Sequence, residues 1–275
     1  MDLFIVDKAK CNLCGLCAED CPGFVVAMNG REGFPVIAEG GQDRCMKCGH
    51  CVAVCPTGAF AHSIMIPGDC VDIDKRLLPS AEAVEHFLKS RRSIRLFKQE
   101  AVDRGTLEKM LDIARYAPSG HNTQPVGWIV VSGREKLKGM GDLVAEWMRA
   151  AVKEKPELDA MMKLGMVADS WSLGVDIIMR GAPHIAVAHA PRLYGPIGQE
   201  ASIIALTYLE LAAYSLGVGA CWAGYFEMAT VNSAPLQKAL GLPEGHRTYG
   251  AMLLGYPKYR YSRIPLRKGL DVRWL

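Results

Sequence analysis

Apolar positions along the chain change their rhythm several times, and each rhythm predicts an element. Leu107, Met110, Leu111 and Ala114 recur at helical spacing behind Asp103, a good N-cap. Val84, Phe87 and Leu88 form a similar stripe behind Ser80, with Glu82 and Glu85 in the first turns and Pro79 ahead as a hinge. Longer helical stretches are predicted over residues 135–153, 158–179, 200–216 and 231–240. Unbroken apolar runs over 128–132, 184–189, 218–222 and 248–255 predict buried strands. The longest apolar run, 201–226, could span a membrane on length alone. Glu210 near its centre and Gly217, Gly219 and Gly224 near its end favour a buried helix followed by a buried strand.

Composition narrows the class. Half of the 275 residues are hydrophobic and 22% are charged, which excludes a disordered chain and a collagen-like repeat. A net charge of +3 is too small to argue for nucleic acid. The first residues carry charge where a secretory signal needs an apolar core, so the expected location is cytoplasmic, with no membrane partner. Cysteines there serve as ligands rather than disulfides. Residues 1–75 hold six Lys/Arg against ten Asp/Glu, whereas residues 256–275 hold six basic residues against Asp271 alone. Such a basic tail is either a solvated surface or a phosphate site.

Nine of the ten cysteines lie within the first 70 residues. Cys11, Cys14, Cys17 and Cys21-Pro22 repeat as Cys45, Cys48, Cys51 and Cys55-Pro56, at a constant offset of 34 residues. Three thiolates at this spacing wrap one corner of an iron–sulfur cube, and the fourth reaches the other cube. Cys11, Cys14, Cys17 and Cys55 are therefore assigned to one [4Fe–4S] cluster, and Cys45, Cys48, Cys51 and Cys21 to a second. Zinc would leave a surplus evenly spaced cysteine and Cys-Pro in each repeat. The pattern resembles the bacterial two-cluster ferredoxin family over residues 1–66. Domains are expected at 1–78 and 79–275. Cys70 fits neither motif and is read as an ordinary, half-buried thiol.

Further along come Arg91-Arg92-Ser93-Ile94-Arg95-x-Phe97 and Ala117-Pro118-Ser119-x-x-Asn122-x-Gln124-Pro125. Leu216-Gly217-Val218-Gly219-Ala220-Cys221-Trp222-Ala223-Gly224 and Leu254-Gly255-Tyr256-Pro257 with Arg260 and Arg263 follow. Taken alone, the arginine run could be a helix end complementing its own dipole. Four blocks in this order resemble the nitroreductase family of FMN enzymes over residues 85–275.

The resemblance implies an α+β fold: a small two-cluster ferredoxin domain followed by a mixed antiparallel sheet flanked by helices. It implies a homodimer with FMN at the interface. Arg91, Arg92 and Ser93 would bind the phosphate and ribityl chain, with Arg263 closing over the phosphate and Arg260 in the same C-terminal phosphate segment. Arg95 would face the pyrimidine edge of the flavin. Pro118, Ser119 and Asn122 would reach the FMN of the neighbouring subunit. The backbone of Cys221, Trp222, Ala223 and Gly224 would lie near the flavin atom that passes hydride. Cys221 and Ala223 depart from the acidic residue or proline that many relatives carry. His121, in the flavin-facing turn, is the candidate substrate contact, and the other histidines are read as surface or core. The implied activity passes electrons from the clusters through FMN to a small acceptor such as a nitroaromatic, quinone or activated alkene. A one-electron donor such as a ferredoxin would feed it. The alternatives are an NAD(P)H-oxidising flavoprotein that sends electrons outwards through the clusters, and an electron carrier or redox sensor without a substrate.

Overall fold

The computed structural model describes residues 2–30 and 33–275, and the chain divides into two compact units. The first comprises residues 1–79 with 121–123, the second residues 80–120 with 124–275.

Each half of the cysteine repeat builds the same backbone. In the first unit, β1 (Phe4–Val6), α1 (Leu16–Glu19) and β2 (Val26–Met28) precede β3 (Pro35–Ile37), α2 (Gly41–Arg44), α3 (His50–Ala53) and β4 (Phe60–His62). Helices α1 and α3 stand 34 residues apart, as do β2 and β4. Each of these helices follows a left-handed glycine, Gly15 at φ 75° and Gly49 at φ 79°. Glycine adopts this region without the Cβ penalty. Strands β1 and β4 pair antiparallel, as do β2 and β3. Phe4, Cys17, Val26, Val52 and Phe60 form the small core, the two phenyl rings 4.5 Å apart.

The second unit opens with α4 (Ala81–Ser90) and α5 (Arg104–Ala114), capped by Ser80 and Asp103 through bonds from Ala83 N–H and Thr106 N–H. Then follow β5 (Gly127–Ser132), α6 (Arg134–Glu154), α7 (Pro156–Met162), α8 (Leu164–Ser172), β6 (His184–Pro191) and α9 (Gly195–Ser215). The last elements are β7 (Gly219–Trp222), α10 (Gly224–Asn232), α11 (Ala234–Leu240) and β8 (His246–Gly255). The strands form one antiparallel sheet in the order β5-β6-β8-β7, and a parallel bridge between Ser93 and Ala220 makes its β7 edge mixed.

Alternation along β6 and β8 divides the core. Ile185, Val187, Ala251 and Leu253 face one cluster, with Val144, Met148, Val167 and Phe226 from α6, α8 and α10. Ala186, Ala188, Met252 and Leu254 face the other, with Met110 from α5 and Leu206 and Leu209 from α9. Side chains in a strand point alternately to opposite faces, so these doubly covered stretches are apolar throughout, while His189 of β6 and Thr248 of β8 lie buried beyond them.

Several elements depart from the sequence reading. The helix expected over 158–179 is broken at Lys163, whose φ of 57° is left-handed. The helix expected over 231–240 is two: α10 ends at Asn232, and Ser233 caps α11, with Pro235 in its first turn. The stripe on α4 buries no residue. Cys70, expected half-buried, is exposed. Among the described residues no helix is long and apolar enough to cross a membrane.

Candidate functional site

Two groups of cysteines come together in the first unit. Cys21, Cys45, Cys48 and Cys51 line one small cavity in the first unit. Cys17 lies within electrostatic reach of Cys55 and Cys14, and Cys51 within reach of Cys21 and Cys48. Each set thus draws its fourth member from the other repeat. Burial pushes the Cys51 thiol up to about 11 and raises Cys17 as well. At Cys55 burial also opposes ionisation, but hydrogen bonds from Thr57, Phe60 and Ala59 outweigh it and hold the thiol below its usual value.

His62 is a neighbour of this cavity that the pattern did not flag. Its Nε2 stands 3.4 Å from Cys45 Sγ, and its Nδ1 accepts the Ile64 N–H at 3.2 Å. Asn122, expected at the flavin, belongs to this unit. Its Nδ2 donates to the Lys47 carbonyl at 3.0 Å and the Met46 carbonyl at 3.4 Å. His121 beside it is exposed and left-handed, at φ 53°.

In the second unit, the segment after α4 is clasped on both sides. Ile94 N–H donates to the Ala220 carbonyl at 2.8 Å on the β7 edge. On the other side Lys98 N–H donates to the Tyr256 carbonyl at 2.8 Å, and Lys258 N–H to the Leu96 carbonyl at 3.0 Å. Three blocks far apart in sequence therefore meet. Gly219 permits the approach, because a Cβ there would stand 2.7 Å from Ile94 Cγ1.

The meeting point is a cavity of about 490 Å³. Arg91, Arg92, Lys98, Arg260 and Arg263 line it, with Glu210 as its one carboxylate and the 217–220 turn as part of its wall. Gly217 turns that wall with φ 73°. Glu210 of α9, the charge inside the apolar run, holds Arg91 Nη1 at 2.7 Å. Arg92 lies 5.8 Å from the Tyr261 ring centroid. A larger groove of about 1030 Å³ carries Arg134, Lys138 and Arg149 beside Glu135, Asp142 and Asp176. Its balanced charges give an anion no preference, and it holds none of the residues singled out in the sequence.

The remaining candidates lie elsewhere. Ser93 bridges to Ala220, and Arg95 is exposed. Cys221 is in the core at 4% exposure, where burial raises its thiol pKa against the pull of Arg95 and Arg180. Trp222 is exposed, Ala223 is buried and Gly224 starts α10; with Cys221 they lie outside the cavity wall. Pro118 is exposed. Ser119 Oγ accepts the Gln124 N–H at 2.9 Å, and Ser119 lines a separate hollow with Ala201 and Ala205 of α9. Glu227, one turn into α10, was missed. Burial raises its carboxyl to about 7, although the Thr248 and Thr230 hydroxyls, each 3.2 Å away, favour the ionised form.

Comparison with known proteins agrees with this layout. Residues 88–256 match the model of the nitroreductase family, and residues 10–59 match that of the 4Fe-4S dicluster domain. The chain is 30% identical to an NADH dehydrogenase of Thermus thermophilus, across 70% of this chain and 96% of that protein. It is 30% identical to the nitroreductase NfnB of Mycolicibacterium smegmatis, across 51% and 70%. A nitroreductase with bound FMN from Desulfitobacterium hafniense superposes with a TM-score of 0.54 at 25% identity, across 70% of this chain and 96% of that one. One from Bacteroides fragilis shares the fold with a TM-score of 0.58 at 21% identity, across 70% and 98%. From residue 88 to residue 256, then, the chain belongs to the nitroreductase family, with a 4Fe-4S dicluster domain preceding that stretch.

Proposed function

We propose that the protein is an FMN-dependent oxidoreductase whose two [4Fe–4S] clusters pass electrons to the flavin, which then reduces a small organic acceptor. The observation that carries this reading is the cavity where five basic side chains surround one carboxylate beside a glycine turn. That charge suits a phosphate, and the bare turn lets backbone approach a ligand closely.

When bound, the clusters would supply single electrons, and the flavin would combine two of them with a proton from solvent into a hydride. Arg92, Arg260 and Arg263 hold the phosphate through charge-assisted bonds. Arg91 turns one edge to Glu210 and offers its remaining donors to the ligand. The Cys11, Cys14, Cys17 and Cys55 thiolates hold one cluster, and Cys21, Cys45, Cys48 and Cys51 the other. The Ser119 hollow and the basic cavity are separate on one chain, which supports a homodimer where one copy's Ser119 meets flavin held by the other's arginines. A reducing cytoplasm suits the thiolate ligands.

The test is cofactor content. Arg92→Ala/Arg263→Ala, purified with an unchanged circular dichroism spectrum, should bind FMN at least about tenfold more weakly, since each charge-assisted bond contributes roughly 1.5–3 kcal/mol. Unaltered FMN affinity overturns the assignment. A second reading, in which NAD(P)H reduces the flavin and the clusters carry electrons out, is favoured by the relative named an NADH dehydrogenase. Anaerobic stopped-flow reduction by NADH, set against reduced ferredoxin, separates the two directions.

A further inference from the structure

The two cysteine sets are related by the 34-residue offset, so each group beside one set has a counterpart beside the other. The backbone donors match. Val25 N–H points at Cys21 Sγ and Ala59 N–H at Cys55 Sγ, both at 3.3 Å. Two side-chain donors do not match: Thr57, whose counterpart is Gly23, and His62. His62 Nε2 faces Cys45 Sγ at 3.4 Å, whereas the residue 34 positions earlier is Met28, a thioether with no hydrogen to donate.

The chain itself fixes the proton on the ring. Ile64 N–H donates to His62 Nδ1 at 3.2 Å, so Nδ1 is the acceptor. The neutral ring then carries its hydrogen on Nε2, aimed at the sulfur. His62 is 5% exposed, which keeps water from replacing it. The other set has Thr57 Oγ1 at 3.7 Å from Cys55 Sγ, but Thr57 is exposed and its hydroxyl can turn to water. Charge adds in the same direction. Lys47 occupies the place in the second repeat that Leu13 holds in the first, and both are left-handed, at φ 53° and 61°.

Resting on the reading that both sets hold [4Fe–4S] clusters, we propose that His62, through Nε2–H to Cys45 Sγ, raises the reduction potential of the Cys21/Cys45/Cys48/Cys51 centre above that of its twin. Reduction adds negative charge that the thiolates share, and a hydrogen-bond donor favours the more negative state. A one-electron donor such as reduced ferredoxin gives up one electron, and that electron comes to rest at the His62 centre. No proton moves and no bond breaks, so His62 sets the order of the two centres without taking part in the transfer.

The experiment is a mediated anaerobic redox titration of the full-length holoprotein, followed by electron paramagnetic resonance, after iron and sulfide are counted. A wild-type content below two clusters overturns the cluster reading itself, and this is known before any variant is made. With both clusters present, His62→Met should lower the higher of two one-electron steps by about tenfold in its equilibrium constant, or about 59 mV, and leave the lower step in place. His62→Gln, which keeps an N–H, should recover part of the shift. Two unmoved steps, or equal shifts in both, overturn the proposal. If His62→Met loses its second cluster, Met28→His decides: a raised lower step supports the proposal and an unmoved one overturns it.

Discussion

Arg91 Nη1 and Glu210 Oε1 stand 2.7 Å apart and tie the end of α4 to the middle of α9. The side chains are only 23% and 10% exposed. Removing one member of a buried pair leaves an uncompensated charge at a cost of about 3–5 kcal/mol, whereas removing both costs much less. Arg91→Ala should therefore unfold at lower denaturant than Arg91→Ala/Glu210→Ala, measured by urea titration. Equal midpoints would show that the pair is not coupled.

Gly219 lies where the arginine segment crosses the sheet edge. Gly219→Ala would place a methyl 2.7 Å from Ile94 Cγ1 and 2.9 Å from Ile94 Cβ. Overpacking of this kind costs about 1–3 kcal/mol. The 91–98 segment should shift away from β7 and the basic cavity should lose its form. Thermal denaturation together with flavin titration checks both effects, and a variant equal to the parent in each contradicts the packing argument.

Glu227 gives the second unit a pH dependence of defined sign. Its carboxyl is raised from 4.5 to about 7 by burial. The folded state therefore holds a proton that the unfolded state releases near 4.5. The stability this contributes is fully present below the unfolded value and is lost as pH rises through about 7. The loss is on the order of 3 kcal/mol. Glu227→Gln should flatten the profile between pH 5 and 8 (roughly the span of the two pKa values), and an unflattened profile in urea melts counts against the assignment.

His189 and His246 face each other through their Nδ1 atoms at 2.9 Å, a geometry that accepts one proton and not two. Burial, then the charge of His246, depresses the His189 pKa below its ordinary 6.5. An unfolded histidine takes up a proton that the folded one refuses, so stability falls as pH drops below 6.5. His189→Gln should reduce this acid-side loss in pH-dependent melts, and a variant with the full loss points to another group.

The crossed cysteine sets make a further distinction. Cys21→Ala should disturb the centre that Cys45, Cys48 and Cys51 share and spare the other, while Cys55→Ala should do the reverse. Magnetic spectra of the reduced proteins read the two centres separately. Damage confined to the centre of the mutated repeat would mean that the sets are not crossed.

How far residues announce structure depends on how local their reasons are. The repeated backbone of the first unit was legible in the cysteine spacing, since the two helices and strands that follow the cysteines recur at the same 34-residue offset. Strands β5, β6 and β8 were legible from unbroken apolar runs, and the caps Ser80 and Asp103 from their own neighbours. The break at Lys163 was not, since lysine carries no signal for left-handed backbone. The basic cavity came from a family resemblance, and no local pattern joins Arg91 to Arg263. Glu210 stood out as a charge in an apolar run, but its partner lies 119 residues earlier. His62 carried no mark, because its meaning depends on a cysteine 17 residues away and on a hydrogen bond from Ile64.

The shared wall of the two cores sets the terms on which this protein can diversify. From Ile185 to Ala188 and from Ala251 to Leu254, every position of β6 and β8 serves one helical layer or the other, so these stretches leave no free face where a new polar group could be tried. Change is displaced to the rims: the 91–98 segment, the turn at Gly217 and the basic tail. Substitutions can accumulate there while the sheet beneath stays unchanged.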